Sequence, residues 1–239
     1  MSDIAHLALI LDGPMQSWGF SSRFQRRTTG LHPTKSGIIG LVVAAMGLSK
    51  GSPEEATWLP KLSVLKMTSI AIPRNVPGET GQLPILRLED FHTVLDTRRA
   101  SGTMNKDAVV TRRQYLLEAR FGVILAGDGS VLEHAAVALQ DPIWGVWLGR
   151  KNCIPSAPLF VELCKSKDAA LRAILRACGL SMDETLESFT TVAEVENFAE
   201  GTDSISDQPV SFGDATSSGS DKRQFAVRRI AVKTSLRGS

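Results

Sequence analysis

The segment Gly13-Pro14-Met15-Gln16-Ser17-Trp18-Gly19 follows directly on an apolar run, Ile4 to Leu11. Two glycines at the end of a strand let the backbone approach a ligand closely or take positive φ. Trp18 offers a face on which a base can stack, and Gln16 an amide for a base edge or a phosphate. The same residues also fit a plain turn that holds a core tryptophan. Further on, Pro33-Thr34-Lys35-Ser36-Gly37 leads into a helix. Free amides at a helix start, aligned with its dipole, make an anion site, to which Lys35 adds charge and Ser36 a hydroxyl. Gly30-x4-Lys35-Ser36 is superficially like a phosphate-binding P-loop. It lacks the glycine before the lysine, and Pro33 removes an amide, so nucleotide hydrolysis is excluded.

Charge is distributed unevenly. The formal net charge is +2, but residues 181–207 hold eight acids and no Lys or Arg, so the rest of the chain carries +10. Three stretches concentrate the positive charge: Arg23, Arg26, Arg27 and Lys35; then Arg98, Arg99, Lys106, Arg112 and Arg113; then Lys222, Arg223, Arg228, Arg229, Lys233 and Arg237. Three basic stretches in a nearly neutral chain point to a polyanion track. Solvated faces scattered over the surface are the alternative.

Other chemistry is sparse. His6, His32, His92 and His134 have no metal-ligand spacing, and the three cysteines, Cys153, Cys164 and Cys178, form no C-x-x-C. Neither a metal nor a cofactor is expected. His6 lies in a buried-strand pattern and reads as a satisfied core residue. His32 and His92 lie in basic, loop-like surroundings and are the two candidate proton donors. Tyr115 is the only tyrosine and is expected to pack in a strand.

The elements that must position these groups follow from the apolar pattern. The chain has 239 residues, 43% hydrophobic and 22% charged, which excludes a disordered, collagen-like or coiled-coil protein. The longest apolar run, Ile38 to Met46, is nine residues, short of the roughly 20 that span a bilayer, so no membrane partner is expected. The cysteine usage and the absence of a basic leader after Met1 point to a reducing, cytoplasmic setting. The pattern predicts a strand over Ile4–Leu11, a helix from Ser36 to Met46 and a strand over Leu62–Ile72. It then predicts a strand over Tyr115–Leu125, a helix over Ser130–Leu139 and a strand over Ile143–Leu148. That order is βαββαβ, an α+β, ferredoxin-like (RRM-like) arrangement over residues 1–150. A long insert, about 73–112, interrupts it, and Leu86–Leu95 and Thr111–Leu117 pair there as a projecting hairpin. Residues 151–239 form a smaller, irregular, β-rich part. It holds a helix over Lys167–Cys178, strands over Phe189–Val195 and Phe225–Val232, and a mobile loop over 201–221.

Several segments taken together resemble one family. They are Leu9-x2-Asp12 through Gly19, Pro33 through Leu41, Asp90-Phe91-His92-Thr93-Val94, Thr111-Arg112-Arg113-Gln114-Tyr115-Leu116, and Pro142-Ile143-Trp144-x3-Leu148-Gly149-Arg150-Lys151-x-Cys153. Pro209-Val210-Ser211-Phe212 and the basic strand after it add a C-terminal match. In this order they resemble the CasD family of CRISPR-associated Cascade subunits, of the RAMP superfamily, closest in wording to its type I-E branch. The resemblance implies a non-catalytic subunit with an RRM-like body that caps the 5′ handle of crRNA. A thumb-like hairpin would fold over the guide and meet the Cascade backbone subunit. The large subunit would dock nearby, and target DNA would be met indirectly through the complex. Gly13, Met15, Gln16, Trp18, Gly19, Arg23, Arg26, Arg27, Lys35, Ser36 and Gly37 would line the handle. His92, Arg98, Arg99, Lys106, Arg112 and Arg113 would lie on the thumb, and Arg150 and Lys151 would join the RNA surface. In the type I-C branch a relative cleaves repeat RNA and carries a tyrosine three residues ahead of the Pro-Thr. Here that position is Gly30. Metal-independent RNA cleavage by His32 or His92 with Lys35 or Lys106 remains the alternative, and a small-molecule enzyme on the same fold a third.

Overall fold

The computed structural model describes residues 3–19, 25–75, 82–83, 85–99, 101–105, 107–213 and 223–235. Arg23, Lys106, Lys222 and Arg237 lie outside the described residues, as does 214–221 of the expected loop.

Thirteen strands and four α-helices follow one another along the described chain. They run β1 (Ile4–Asp12), β2 (Met15–Gln16), β3 (Arg26–Arg27), α1 (Lys35–Ala45), α2 (Pro53–Ser63), β4 (Lys66–Ala71), β5 (Arg74–Asn75), β6 (Gln82–Leu83) and β7 (Leu86–Val94). After these come β8 (Val109–Leu117), β9 (Arg120–Asp128), α3 (Gly129–Gln140), β10 (Phe160–Cys164), α4 (Lys167–Ala177), β11 (Thr191–Glu194), β12 (Asp203–Ser211) and β13 (Gln224–Lys233). Seven strands make one antiparallel sheet in the order β10-β1-β9-β4-β11-β13-β12. The sheet therefore draws strands from both sides of residue 150.

Alternation along β1 explains how the sheet is covered. Leu7, Leu9 and Leu11 point to one face, where Ile38, Ile39 and Val42 of α1 and Leu132 and Ala135 of α3 meet them. Ala8 points to the other face, against Leu171 and Ile174 of α4. Each leucine fully buried this way contributes about 1.5–3 kcal/mol. Helix α1 is apolar all round because it is buried between the sheet and α3, as the sequence pattern expects.

A second sheet holds the hairpin. β7 pairs with β8 over nine residues, Leu86 to Val94 against Leu117 to Val109. β2 and β3 occupy the opposite edge of β8.

Four expectations are corrected. Leu62 and Ser63 end α2 instead of opening a strand. This helix starts on a Ser52 cap with Pro53, Glu54 and Glu55 in its first turn, a start signal the apolar pattern passed over. The run Tyr115–Leu125 is two strands in two sheets. It breaks at Glu118, whose φ of 52° reverses the chain's pleat, while its amide donates to Pro14 O. Ile143–Leu148 is not a strand; Ile143 and Trp144 amides instead donate to Ala45 O and Ala44 O at the C-terminal end of α1. β10 takes the sheet position foreseen for it. Residues 203–211 of the foreseen loop are an edge strand, β12, held to β13.

Candidate nucleic-acid interface

The expected ligand loop at 13–19 folds inward. Trp18 is 1% exposed and its Nε1 donates to Gln16 Oε1 at 3.1 Å. The Gln16 amide donates to Leu11 O at 3.0 Å and Ala119 O at 2.7 Å. Gly13 is buried against Ile154 O, and Met15 packs on the core. Gly37 is small because Trp18 and Thr34 lie 3.0 Å from where its Cβ would be. The two side chains foreseen for base contacts, Gln16 and Trp18, are thus core groups, because their polar atoms are satisfied inside. Only Gly19, Ser36 and Gly37 reach a surface, the wall of a groove described below.

Lys35 is likewise corrected. Its side chain is 0% exposed, and Nζ donates to Glu194 Oε1 and Oε2 at 3.1 and 2.9 Å. Its backbone amide, the first of α1, donates to Asp207 Oδ2 at 2.7 Å. Asp207 also receives Arg228 Nε and Nη2 at 2.5 and 3.0 Å. The anion site at the start of α1 therefore exists, and the protein's own Asp207 fills it. Burial holds the Lys35 ammonium below its usual range, opposed by its bond to Glu194. Part of the acidic stretch is thereby explained: Glu194 and Asp207 neutralise Lys35 and Arg228, and Glu196 pairs with Lys66. Two cations of the third basic stretch are also structural. Besides Arg228, Arg229 lies 4.2 Å over the Phe198 ring and donates to Phe198 O at 3.1 Å.

The other cations stay outside. β3 pairs in parallel with β8, which puts Arg26 beside Arg112 and Arg27 beside Arg113. Arg26, Arg27 and Arg112 are exposed, and Arg113 is half-buried with Nε on Thr111 Oγ1 at 3.2 Å. Arg112 leans 5.7 Å over the Phe91 ring and 3.8 Å from Glu89. Arg150 lies 4.8 Å over the Tyr115 ring and donates to Gln114 O and Arg27 O at 3.1 and 2.9 Å, tying the loop after α3 to this edge. Lys151 beside it is exposed. Tyr115 packs in its strand as expected, its hydroxyl accepting Asn152 Nδ2 at 3.0 Å. Farther along the hairpin, Arg98 pairs its backbone with Met104, and Arg99 Nε donates to Asn105 Oδ1 at 2.7 Å. His92 is exposed on β7. β3 and β8 thus place Arg26, Arg27, Arg112 and Arg113 in neighbouring positions, with no Asp or Glu on either strand.

The two candidate proton donors part company. His32 is half-buried, tilted 5.5 Å from the Phe121 ring, with Nδ1 3.3 Å from Ser69 Oγ. Burial pushes its pKa down to about 4, so it is neutral at pH 7 and is not an imidazolium acid there. His6, expected to be satisfied, has an enclosed Nδ1 without a hydrogen-bond partner. Among the described residues, no three or more His, Cys, Asp or Glu side chains are placed to hold a metal ion. Nor is any described helix long and apolar enough to cross a membrane.

A groove of about 650 Å³ opens beside this surface, lined by Gly19, Ser36, Trp144, Trp147, Arg223 and Phe225 among others. Gly149, at φ +91°, turns the chain so tightly against Ser17 O that no side chain fits, and carries the groove wall into Arg150. The residues after α3 were legible as a motif but not as a groove. The Trp144-x2-Trp147 pair carried the only signal, because indoles at such spacing in a non-strand segment are expensive to leave exposed.

Comparison with known proteins follows this geometry. Residues 6–231 match the family model described as "CRISPR-associated protein (Cas_Cas5)". The Cascade subunit CasD of the Escherichia coli (strain K12) CRISPR system is 30% identical over 168 residues, 69% of this chain and 73% of that protein. A chain of a solved CRISPR RNA-guided surveillance complex superposes with a TM-score of 0.68 at 28% identity, over 95% of this chain and 88% of its own length. A crystal structure of a Cas protein shares the fold with a TM-score of 0.54 at 24% identity, over 97% and 96%. With the match running nearly end to end, this chain belongs to the Cas5/CasD family of CRISPR-associated proteins.

Proposed function

We propose that this protein is a non-catalytic subunit of a Cascade surveillance complex and holds the 5′ handle of crRNA. The observation that carries the reading is the register of Arg26 with Arg112 and Arg27 with Arg113, continued by Arg150. Arg26, Arg27 and Arg112 are exposed and Arg113 and Arg150 half-buried, and among the described residues Glu89 is the carboxylate that pairs with one of them. Lys151 extends the same surface in this reading, and Arg23 and Lys106 are assigned to the RNA by the family resemblance alone. The four strands β10-β1-β9-β4, with α1 and α3 on one face, serve as a ferredoxin-like, RRM-like body. The RNA lies along the hairpin edge, since α4 covers the second face of that sheet. The β7–β8 hairpin, with His92, Arg98 and Arg99 towards its tip, is the thumb that closes over the guide and meets the backbone subunit. The large subunit docks nearby, target DNA is engaged through the complex, and the whole acts in the cytoplasm.

Nuclease action is disfavoured by Gly30, which offers no side chain where the cleaving branch has tyrosine, while His32, neutral at pH 7, is not the imidazolium acid of such a step. The test is co-expression of the tagged chain with its genomic neighbours and a repeat array, then sequencing of the RNA ends that co-purify. Uniform guides with a fixed 5′ repeat remnant, lost on Arg26→Ala with Arg27→Ala, are expected. Mature 5′ ends that persist without a separate processing subunit would show that this chain cuts. Absence of RNA from the assembled complex would end the reading altogether.

A further inference from the structure

The groove between α1, the 144–149 segment and the C-terminal strands has a composition unlike a packing defect. Trp144 and Trp147 are 43% and 38% exposed on its wall, and Phe225 at 38% faces them from β13. Two cations, Lys50 and Arg223, line it as well. Burial lowers the Lys50 pKa first, and repulsion from Arg223 lowers it further, against the pull of Glu55. An anion between the two cations relieves that repulsion. Glu55 also lines the groove, is 5% exposed, and uses Oε2 to accept the Gly51 amide at 2.6 Å. Its Oε1 is enclosed and has no hydrogen-bond partner. A buried carboxylate oxygen left without a donor is costly, and a ligand N–H would satisfy it.

We propose that this groove takes one unstacked base of the bound RNA, stacks it on the indoles of Trp144 and Trp147, and selects it through Glu55. The inference rests on the RNA-binding reading above and deepens it. Aromatic faces beside cations are the chemistry of single-stranded nucleic-acid sites. Gly149 carries the groove into Arg150, so one strand of RNA runs from the arginine ladder into it without leaving positive surface. A carboxylate accepts from an exocyclic amino group. It is a poor partner for uracil, whose single exposed N–H sits between two carbonyls. Adenine, cytosine and guanine are therefore taken in preference to uracil. The enclosed oxygen is reached when Lys50, which is exposed, swings towards the phosphate.

The test uses the assembled complex with guide RNAs carrying 2-aminopurine at successive positions of the 5′ repeat remnant. One position is expected to lose fluorescence by stacking, and Trp144→Ala to restore it. Replacing that base by uracil is expected to weaken RNA retention about tenfold. Glu55→Gln keeps an acceptor for Gly51 and turns a donor into the groove, so it is expected to reverse that preference. Equal fluorescence at every position, with RNA retained, overturns the proposal while leaving RNA binding intact. So does a base preference untouched by a Glu55→Gln variant that melts like the parent. Trp144→Ala that keeps the RNA signal but releases a protein subunit assigns the groove to a protein and likewise overturns it. Should Glu55→Gln fail to fold, the Trp144→Ala stacking readout decides. A complex that holds no RNA removes the function proposed above, and this inference with it.

Discussion

Arg228 and Arg112 carry the same guanidinium group, and both lie on strands in basic stretches of the sequence. Arg228 is buried, with its donors on Asp207 and its outer nitrogen 3.7 Å from Glu194. Arg112 stands in solvent, with a ring at 5.7 Å and a carboxylate at 3.8 Å as its company. The first region spends its charge on holding α1, β11, β12 and β13 together. The second leaves its charge at the surface, where the function proposed above puts the RNA. A basic stretch therefore says nothing about direction until its counter-charges are located. Here the counter-charges for the buried set come from an acidic stretch more than 150 residues from Lys35 in the chain.

Substitutions can break this contrast. Asp207→Ala strands Arg228 in the interior and uncaps α1, and should cost about 3–5 kcal/mol. Thermal unfolding should show the midpoint fall by about 10 °C or more; an unchanged midpoint would dissolve the distinction between the two regions. Lys35→Met leaves Glu194, which keeps some solvent contact, without its partner, and should cost about 1–3 kcal/mol by denaturant titration. Its RNA affinity per folded molecule should match the parent. Weaker binding by that folded fraction would return Lys35 to the RNA surface.

His32 sharpens the contrast through pH. Its folded pKa of about 4 lies below the ordinary 6.5, so the unfolded chain binds the proton first. Stability is thus full above about 6.5 and is lost as pH falls towards 4. His32→Gln should flatten that limb by about 1–2 kcal/mol, once solvent screening is allowed for. The smallest effect on the fold belongs to the exposed region. Arg112→Ala with Arg113→Ala should move stability by no more than about 0.5 kcal/mol. The same pair should weaken RNA retention and reduce the slope of log affinity against log salt by about 0.7 per phosphate contact removed. A large loss of stability there would mean that the ladder is structural after all.

Much of the body was legible in the chain. Strand β1, helices α1, α3 and α4, the β7–β8 hairpin and strands β11 and β13 follow from apolar period and punctuation, because each buries one face against one neighbour. The misreadings have a common physical origin. Ile143 and Trp144 look like strand residues, but their backbone amides are used on the carbonyls that end α1. Residues 203–211 look like a polar loop because edge strand β12 faces solvent on one side and buries an aspartate and a proline, Asp207 and Pro209, on the other. Period-based reading has no way to score a carboxylate as a core residue. Lys35 was misplaced for the same reason, and so was Trp18, whose partner Gln16 satisfies it two residues away. The cations of β3 and β8 stood out in the sequence as members of two separate basic stretches. Their alignment needed the parallel pairing of two short segments 86 residues apart, which local pattern does not encode.

Glu118 returns to mind in this light. The mostly apolar segment from Tyr115 to Leu125 is folded over a single left-handed residue, so the hairpin and the body sheet share one strip of chain and no joint between them. The backbone oxygen of Glu118 is held at 2.7 Å by Arg74 Nε, and Arg74 is itself paired with Asp12 at the end of β1. In mechanical terms the hairpin is a lever with a one-residue fulcrum, and the bracket that steadies the fulcrum is bolted to the first strand of the body. A load at the tip therefore arrives in the body as torque on β1 and β9, the inner pair of the β10-β1-β9-β4 strands.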